Sequence, residues 1–189
     1  MGKALARVFM LLGVLLMASG IYLHLYNRTE NRMASHRSAE ILAQIKTSIE
    51  TNRAVTEAPS NTSDRSPYMG YLFIPALELE LPVQNSWSYE KLKETPCRFS
   101  GTLWENNLVV MAHNYENHFG RLSTLSPGDE VYFIDSRGLS VPFQIAVMDI
   151  LPPSAVETVT KNDYDLTLFT CTYGGKNRVV VFCEKVAQT

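Results

Sequence analysis

The sequence predicts an all-β domain: a closed or nearly closed barrel of seven to eight strands with short helices, preceded by a transmembrane helix. Three observations predict it. From Tyr68 onward, short apolar and β-branched runs alternate with turn residues such as Pro75, Pro82, Pro127-Gly128, Arg137-Gly138 and Gly174-Gly175. The long helical stretches that a parallel sheet needs for its crossovers are missing between those runs. From Val8 to Asn27, no Asp, Glu, Lys or Arg interrupts a run rich in Leu, Val, Met, Ile and Phe, and a hydrocarbon core needs about 20 such residues.

Bulk composition narrows the function. The chain has 189 residues, which suits one domain with appendages. Lys and Arg total 17 against 19 acidic residues, so there is no basic surplus of the kind that marks a nucleic-acid partner. The three cysteines, Cys97, Cys171 and Cys183, are too few and odd in number for a disulfide-built scaffold. They make no Cys-x-x-Cys pair and no ligand pattern with the histidines. We expect neither metal nor cofactor.

Along the chain, residues 1–28 form the membrane anchor. Lys3 and Arg7 precede the apolar run and favour an inside amino terminus, although Arg28, Arg32 and Arg37 follow it. Ala18-Ser19-Gly20 offers the competing reading of a cleaved signal peptide. The run continues past it through Ile21, Tyr22, Leu23 and Leu25, which favours an uncleaved anchor. Residues 29–67 form a stalk and linker. Ile41, Leu42, Ile45 and Ile49 are spaced for a helix with a start near Glu30 or Ser38–Glu40, and this weak stripe predicts a solvated stalk. Thr51–Pro67 is a polar linker, and its Asn61-Thr62-Ser63 sequon is too short a motif to carry weight. Residues 68–189 form the barrel. Its expected strands are Gly70–Ile74, Leu79–Gln84, Leu108–Ala112, Glu130–Asp135, Val141–Leu151, Leu166–Cys171 and Arg178–Lys185. Short helical pieces are expected at Tyr89–Lys93, Phe119–Leu125 and Ser154–Val159.

Chemistry concentrates at strand ends. The run Leu166–Thr170 ends in the thiol of Cys171, and after the Gly174-Gly175 turn Arg178 opens the next apolar run. Leu108–Ala112 delivers His113. A thiol is mostly protonated at neutral pH and needs a base or cation beside it to act as a nucleophile. An imidazole suits both the base and the later acid, and a guanidinium suits a developing oxyanion. Each residue also has an inert reading: a buried small hydrophobe, a rim histidine and a solvated arginine. Spacing alone leaves the catalytic and inert readings both standing.

A resemblance carries the reading further. Thr167-Leu168-Phe169-Thr170-Cys171 resembles the TLxTC signature of sortases, the membrane-anchored cysteine transpeptidases of Gram-positive bacteria. Gly70-Tyr71-Leu72-Phe73-Ile74-Pro75 with Leu81-Pro82-Val83 is similar to the opening of the sortase barrel. Ala112-His113-Asn114, Phe119-Gly120-Arg121-Leu122 and Pro127-Gly128-Asp129 resemble the family's His strand and the segment after it. The resemblance runs from Tyr68 to Val186 in the family's order. It implies that Cys171 is the nucleophile, His113 the general acid/base, Arg178 the oxyanion or substrate-holding group, and Thr170 a substrate contact. It further implies a Leu-Pro-x-Thr-Gly-type sorting signal on secreted proteins, a thioester intermediate, and a cell-wall or pilin amine as acceptor. The catalytic domain is then expected outside a cell membrane. The short connection from Cys171 to Arg178, and Asn114-Tyr115 after the histidine, leave a class B-like or D-like subclass open.

The remaining residues receive duller readings. His118 competes with His113 but is expected in a polar loop. Alternation from Arg178 puts Val180 and Phe182 on its face and Cys183 on the other. Cys97 and Cys183 are expected unpaired rather than joined, Trp87 and Trp104 as core or loop anchors, and Asp163 and Asp165 as strand-flanking groups. No apolar segment follows Val186, which argues against classes carrying a second anchor, and no acidic cluster suggests calcium. A hydrolase that uses water, or a non-catalytic anchored binding barrel, is the alternative.

Overall fold

A computed structural model describes residues 2–54 and 66–187. The sequon and most of the Thr51–Pro67 linker lie outside the described residues. The chain divides into two compact units, Met1–Met33 and Ala34–Thr189. A single unbroken helix, α1 (Gly2–Ala54), runs through the boundary with no new start at Glu30 or Ser38. In the first unit the large apolar side chains from Leu5 to Tyr26 are exposed, and the helix is long and apolar enough to cross a membrane. At 1.5 Å per residue, its uncharged part Val8–Asn27 matches a core about 30 Å thick.

In the second unit the remainder of α1 is not a solvated stalk. Ala34, Ser38 and Ile45 are buried on one face. The Ser38 hydroxyl donates to the Glu94 carbonyl at 3.0 Å, Arg37 pairs with Glu94 at 3.3 Å, and Lys46 pairs with Glu80 at 2.6 Å. Lys46 also lies 5.4 Å from the centre of the Tyr71 ring. The stripe looked weak because small and polar side chains, rather than large apolar ones, let the helix approach the barrel closely.

The barrel has eight strands: β1 (Tyr68–Ile74), β2 (Leu79–Gln84), β3 (Cys97–Ser100), β4 (Leu108–Met111), β5 (Glu130–Asp135), β6 (Ser140–Leu151), β7 (Leu166–Cys171) and β8 (Arg178–Lys185). They close in the order β1-β2-β3-β4-β7-β8-β6-β5. Short helices α2 (Tyr89–Leu92) and α3 (Val156–Thr160) and a 3-10 segment at Phe119–Thr124 fall near their expected places. Only β2–β3 and β4–β7 are parallel. β3 escaped the sequence reading because it is four residues long and meets β2 through one pair, Gln84 with Cys97.

Two faces of the strands bury two clusters. Leu72, Ile74, Val110, Phe133, Phe143, Leu168 and Val181 belong to the interior core. Val109, Phe169, Val180 and Phe182 form a second cluster on the outer face, covered by Val159 of α3 and by Tyr164. β7 is buried on both faces over Leu166–Thr170, which explains its nearly continuous apolar texture. Gly70, at φ 147°, faces the Ile134 carbonyl so closely that a Cβ would lie 2.0 Å from its oxygen, and only glycine fits there.

Leu168 is fully buried at the centre of this arrangement. Leu168→Ala is expected to lower barrel stability by about 2–5 kcal/mol, read as an earlier midpoint in urea unfolding of the full chain in detergent.

Candidate active site

The parallel pairing of β4 with β7 sets Met111 beside Phe169. Continuing the ladder, Ala112 N donates to Phe169 O at 3.3 Å, and Asn114 Nδ2 donates to Thr172 O at 3.4 Å. His113 therefore leaves β4 level with Cys171. On the other side of β7, Cys171 is the direct cross-strand partner of Arg178. Three adjacent strands thus bring His113, Cys171 and Arg178 to one rim of the barrel.

Strand alternation decides which face they share. Val109 and Met111 of β4, Phe169 of β7, and Val180 and Phe182 of β8 pack in or against the outer cluster; His113, Cys171 and Arg178 follow the same alternation. The three lie on the outer face, at the end of an apolar floor. Next to that floor, the Phe99 ring is 5.3 Å from Phe169 and 5.9 Å from Trp87. Trp87 in turn lies 5.9 Å from Tyr89. This aromatic row was not foreseen. Trp87 and Trp104 are 42% and 61% exposed, so neither is a core residue; Trp104 lies under the Arg137 guanidinium at 4.8 Å.

Arg178 is half-buried, and its Nη1 donates to the carbonyls of Gly175 at 3.2 Å and Asn177 at 3.1 Å. The turn that carries it is closed by Thr172 N to Asn177 O at 2.9 Å and by Gly175 N to Thr172 O at 2.8 Å. Gly174 and Gly175 both take left-handed φ, 82° and 74°, the conformation this tight connection demands.

Thr170, the residue before Cys171, is buried. Its side chain is 3% exposed and its hydroxyl donates to Ala112 O at 2.8 Å. It faces inward and clamps β7 to the end of β4, one residue before His113. Asp165 flanks the far end of β7, where its carboxylate accepts from Lys185 N at 2.7 Å.

His118 lies in a turn, as expected, but it is fully buried. Burial pushes its imidazole down to about 4, and the charge of His113 acts in the same direction. The loop between the two histidines is tight. Phe119 N donates to His113 O at 3.3 Å, and both His118 N and Gly120 N donate to Tyr115 O at 2.9 Å. The sequence does carry one signal of this: a Cβ on Gly120 would lie 2.7 Å from the carbonyl oxygens of Asn114 and Tyr115.

The three thiols are free, and they differ sharply. Cys97 and Cys183 are sealed; burial pushes their thiols up to about 11 and about 12. Cys171 is partly exposed. Among the described residues no cluster of His, Cys, Asp and Glu is arranged to hold a metal ion.

Known proteins share this barrel fold. The Sortase domain family matches residues 72–186, more than half of the chain. The chain is similar to sortase C-1 from Actinomyces oris, at 23% identity and a TM-score of 0.58 over 78% of this chain and 99% of that one. It is similar to the sortase D5 transpeptidase of Clostridium perfringens, at 19% and 0.61 over 82% and 99%. It also resembles a Clostridium perfringens sortase C whose structure was solved with the C-terminal cell wall sorting motif, at 20% and 0.57 over 79% and 91%. No curated protein sequence matches the chain. The structural likenesses carry the barrel fold.

Two outcomes test the site's electrostatics. A thiol reagent at neutral pH is expected to add once to the native chain, at Cys171, and three times after denaturation; mass spectrometry counts the adducts. The second concerns acid. Because folding lowers the proton affinity of His118, the unfolded chain takes up its proton first, near pH 6.5. Stability then falls as the pH drops from about 6.5 to about 4, by on the order of 3 kcal/mol. Replacing the imidazole in His118→Phe removes this contribution, and urea midpoints between pH 7 and 4 should fall less steeply than in the wild type.

Proposed function

We propose that this chain, which belongs to the sortase family, is a cysteine transpeptidase that joins secreted proteins to amines at the outer membrane face. The single observation that carries this reading is the register: Cys171 is paired with Arg178, and the β4–β7 ladder leads His113 to the same level. Family membership supports a sortase transpeptidase in general; the sorting signal, the residue roles and the acceptor are our reading.

In this reading the Cys171 thiolate attacks the threonine carbonyl of a Leu-Pro-x-Thr-Gly-type signal. The S–C bond forms as the carbonyl electrons move to oxygen. Arg178 turns from its own loop carbonyls to this oxyanion, and its planar fork offers paired donors. His113 in its protonated form donates to the glycine nitrogen as the C–N bond breaks, leaving a thioester on Cys171. An incoming amine, from a cell-wall precursor or a pilin lysine, loses its proton to His113 and displaces the thiolate. Thr170 contributes by fixing β4 against β7, and through its backbone. The apolar floor at Phe99 and Met111 suits the side chains preceding the scissile bond. α1 serves as the membrane anchor, with Lys3 and Arg7 inside and the barrel outside, where secreted substrates arrive.

Trapping by mass spectrometry tests it, with the full chain and a library of Leu-Pro-x-Thr-Gly-type peptides. We expect a wild-type adduct of the peptide lacking its glycine end, and none from Cys171→Ala; equal processing by Cys171→Ala would sink the enzyme reading. Adding glycine or a diamine should yield an amide product, whereas free acid alone would mark a hydrolase. Arg178→Lys is expected to slow acylation roughly 10²-fold, and near-normal turnover would remove Arg178 from its role.

A further inference from the structure

We propose that His118 is a positioning residue for His113, acting through the Tyr115 ring and seated by α1. The proposal rests on His113 being the acid/base of the reaction described above. Three rings form a column: His118 lies 5.4 Å from Tyr115, and Tyr115 lies 5.0 Å from His113. His118 is the fully buried inner end, and His113 is the half-buried outer end. The Tyr115 ring packs against the His113 imidazole at a tilt of 37°, and in this proposal that contact limits the rotation of His113.

A phenyl ring would fill the inner position more cheaply than an imidazole, since a buried polar ring costs free energy unless its nitrogens are paired. The pairing here is sparse. The Ser38 hydroxyl has one proton, which it gives to the Glu94 carbonyl at 3.0 Å. Towards His118 it can therefore only accept, and it lies 3.5 Å from Nε2. That assigns the proton of the neutral ring to Nε2, and leaves Nδ1 buried without a partner among the described residues. What the imidazole provides, and a phenyl ring lacks, is a directed contact to α1 that sets the rotation of the ring and thus the tilt of the column.

Charge works in the same direction. The ionisable groups facing the column include Cys171 and Arg178 at its outer end, Glu116 in the loop between its rings, the Arg37–Glu94 pair where α1 meets the segment after α2, and Arg121, whose Nη2 donates to Leu77 O at 2.6 Å. A neutral His118 adds no cation to the column.

The test uses the full chain in detergent micelles, the sorting peptide that acylates the wild type, and NMR of the histidine ring protons assigned with His113→Ala. His118→Phe is expected to lower kcat about tenfold or more with KM within about twofold, and to move the His113 ring signals. Tyr115→Leu should do the same and abolish the ring-current displacement at His113. His118→Gln, which keeps an N–H for Ser38, should recover part of kcat. If His118→Phe and Tyr115→Leu leave kcat and the His113 signals as in the wild type, the proposal is overturned, even where stability falls. Should His118→Phe not fold, Tyr115→Leu and His118→Gln carry the same decision. Undiminished acylation by His113→Ala would instead overturn the acid/base reading, and the positioning role with it.

Discussion

The parallel contact between β4 and β7 is the constraint on which the rest of this barrel depends. Parallel strands end at the same edge of a sheet, so whatever follows β4 and β7 emerges side by side. Here His113 follows one and Cys171 ends the other. A parallel pair also requires a long connection, and the chain between β4 and β7 builds β5, β6 and α3. The tight turn after β7 then returns the chain at once, with Arg178 as the first residue of β8. Thr170 secures the arrangement from within, through the bond from its hydroxyl to Ala112 O.

Period-two alternation divides the same strands between two jobs. Leu108, Val110, Leu166, Leu168, Val179, Val181 and Cys183 fill the interior, while Val109, Phe169, Val180 and Phe182 face outward beneath α3. His113, Cys171 and Arg178 are therefore placed outside the barrel, at the end of an apolar floor, and the interior is left to packing. A slip of one residue in β7 would exchange these roles, turning Cys171 inward and Thr170 outward. Burial of β7 on both sides makes such a slip costly.

Much of this was legible in the sequence because strands with strong β-branched runs announce themselves. Seven of the eight strands, the Gly174-Gly175 turn and the order of His113, Cys171 and Arg178 follow from local patterns alone. The placement of Cys183 on the face opposite Arg178, inside the barrel, also followed from alternation. What escaped was decided by tertiary contact. β3 exists because β2 and β4 flank it. The second half of α1 docks through Ala34 and Ser38, whose small side chains leave no hydrophobic signature. His118 does lie in a turn, as the polar Glu116 and Asn117 before it suggest, but its burial comes with packing against Ser38 of α1, distant in sequence. Thr170 stands beside Cys171 in sequence, but neighbours on a strand point to opposite faces.

The unequal treatment of the three thiols has a redox consequence. Cys97 and Cys183 are enclosed, and only Cys171 meets solvent. A partly exposed cysteine whose siblings are walled off has no resolving partner within its own fold. Oxidation at Cys171 therefore runs to a sulfenic acid or to a mixed disulfide with another molecule, both of which a small thiol reverses. The barrel interior thus protects Cys171 from capture by an internal crosslink, and leaves its repair to whatever reductant reaches the rim.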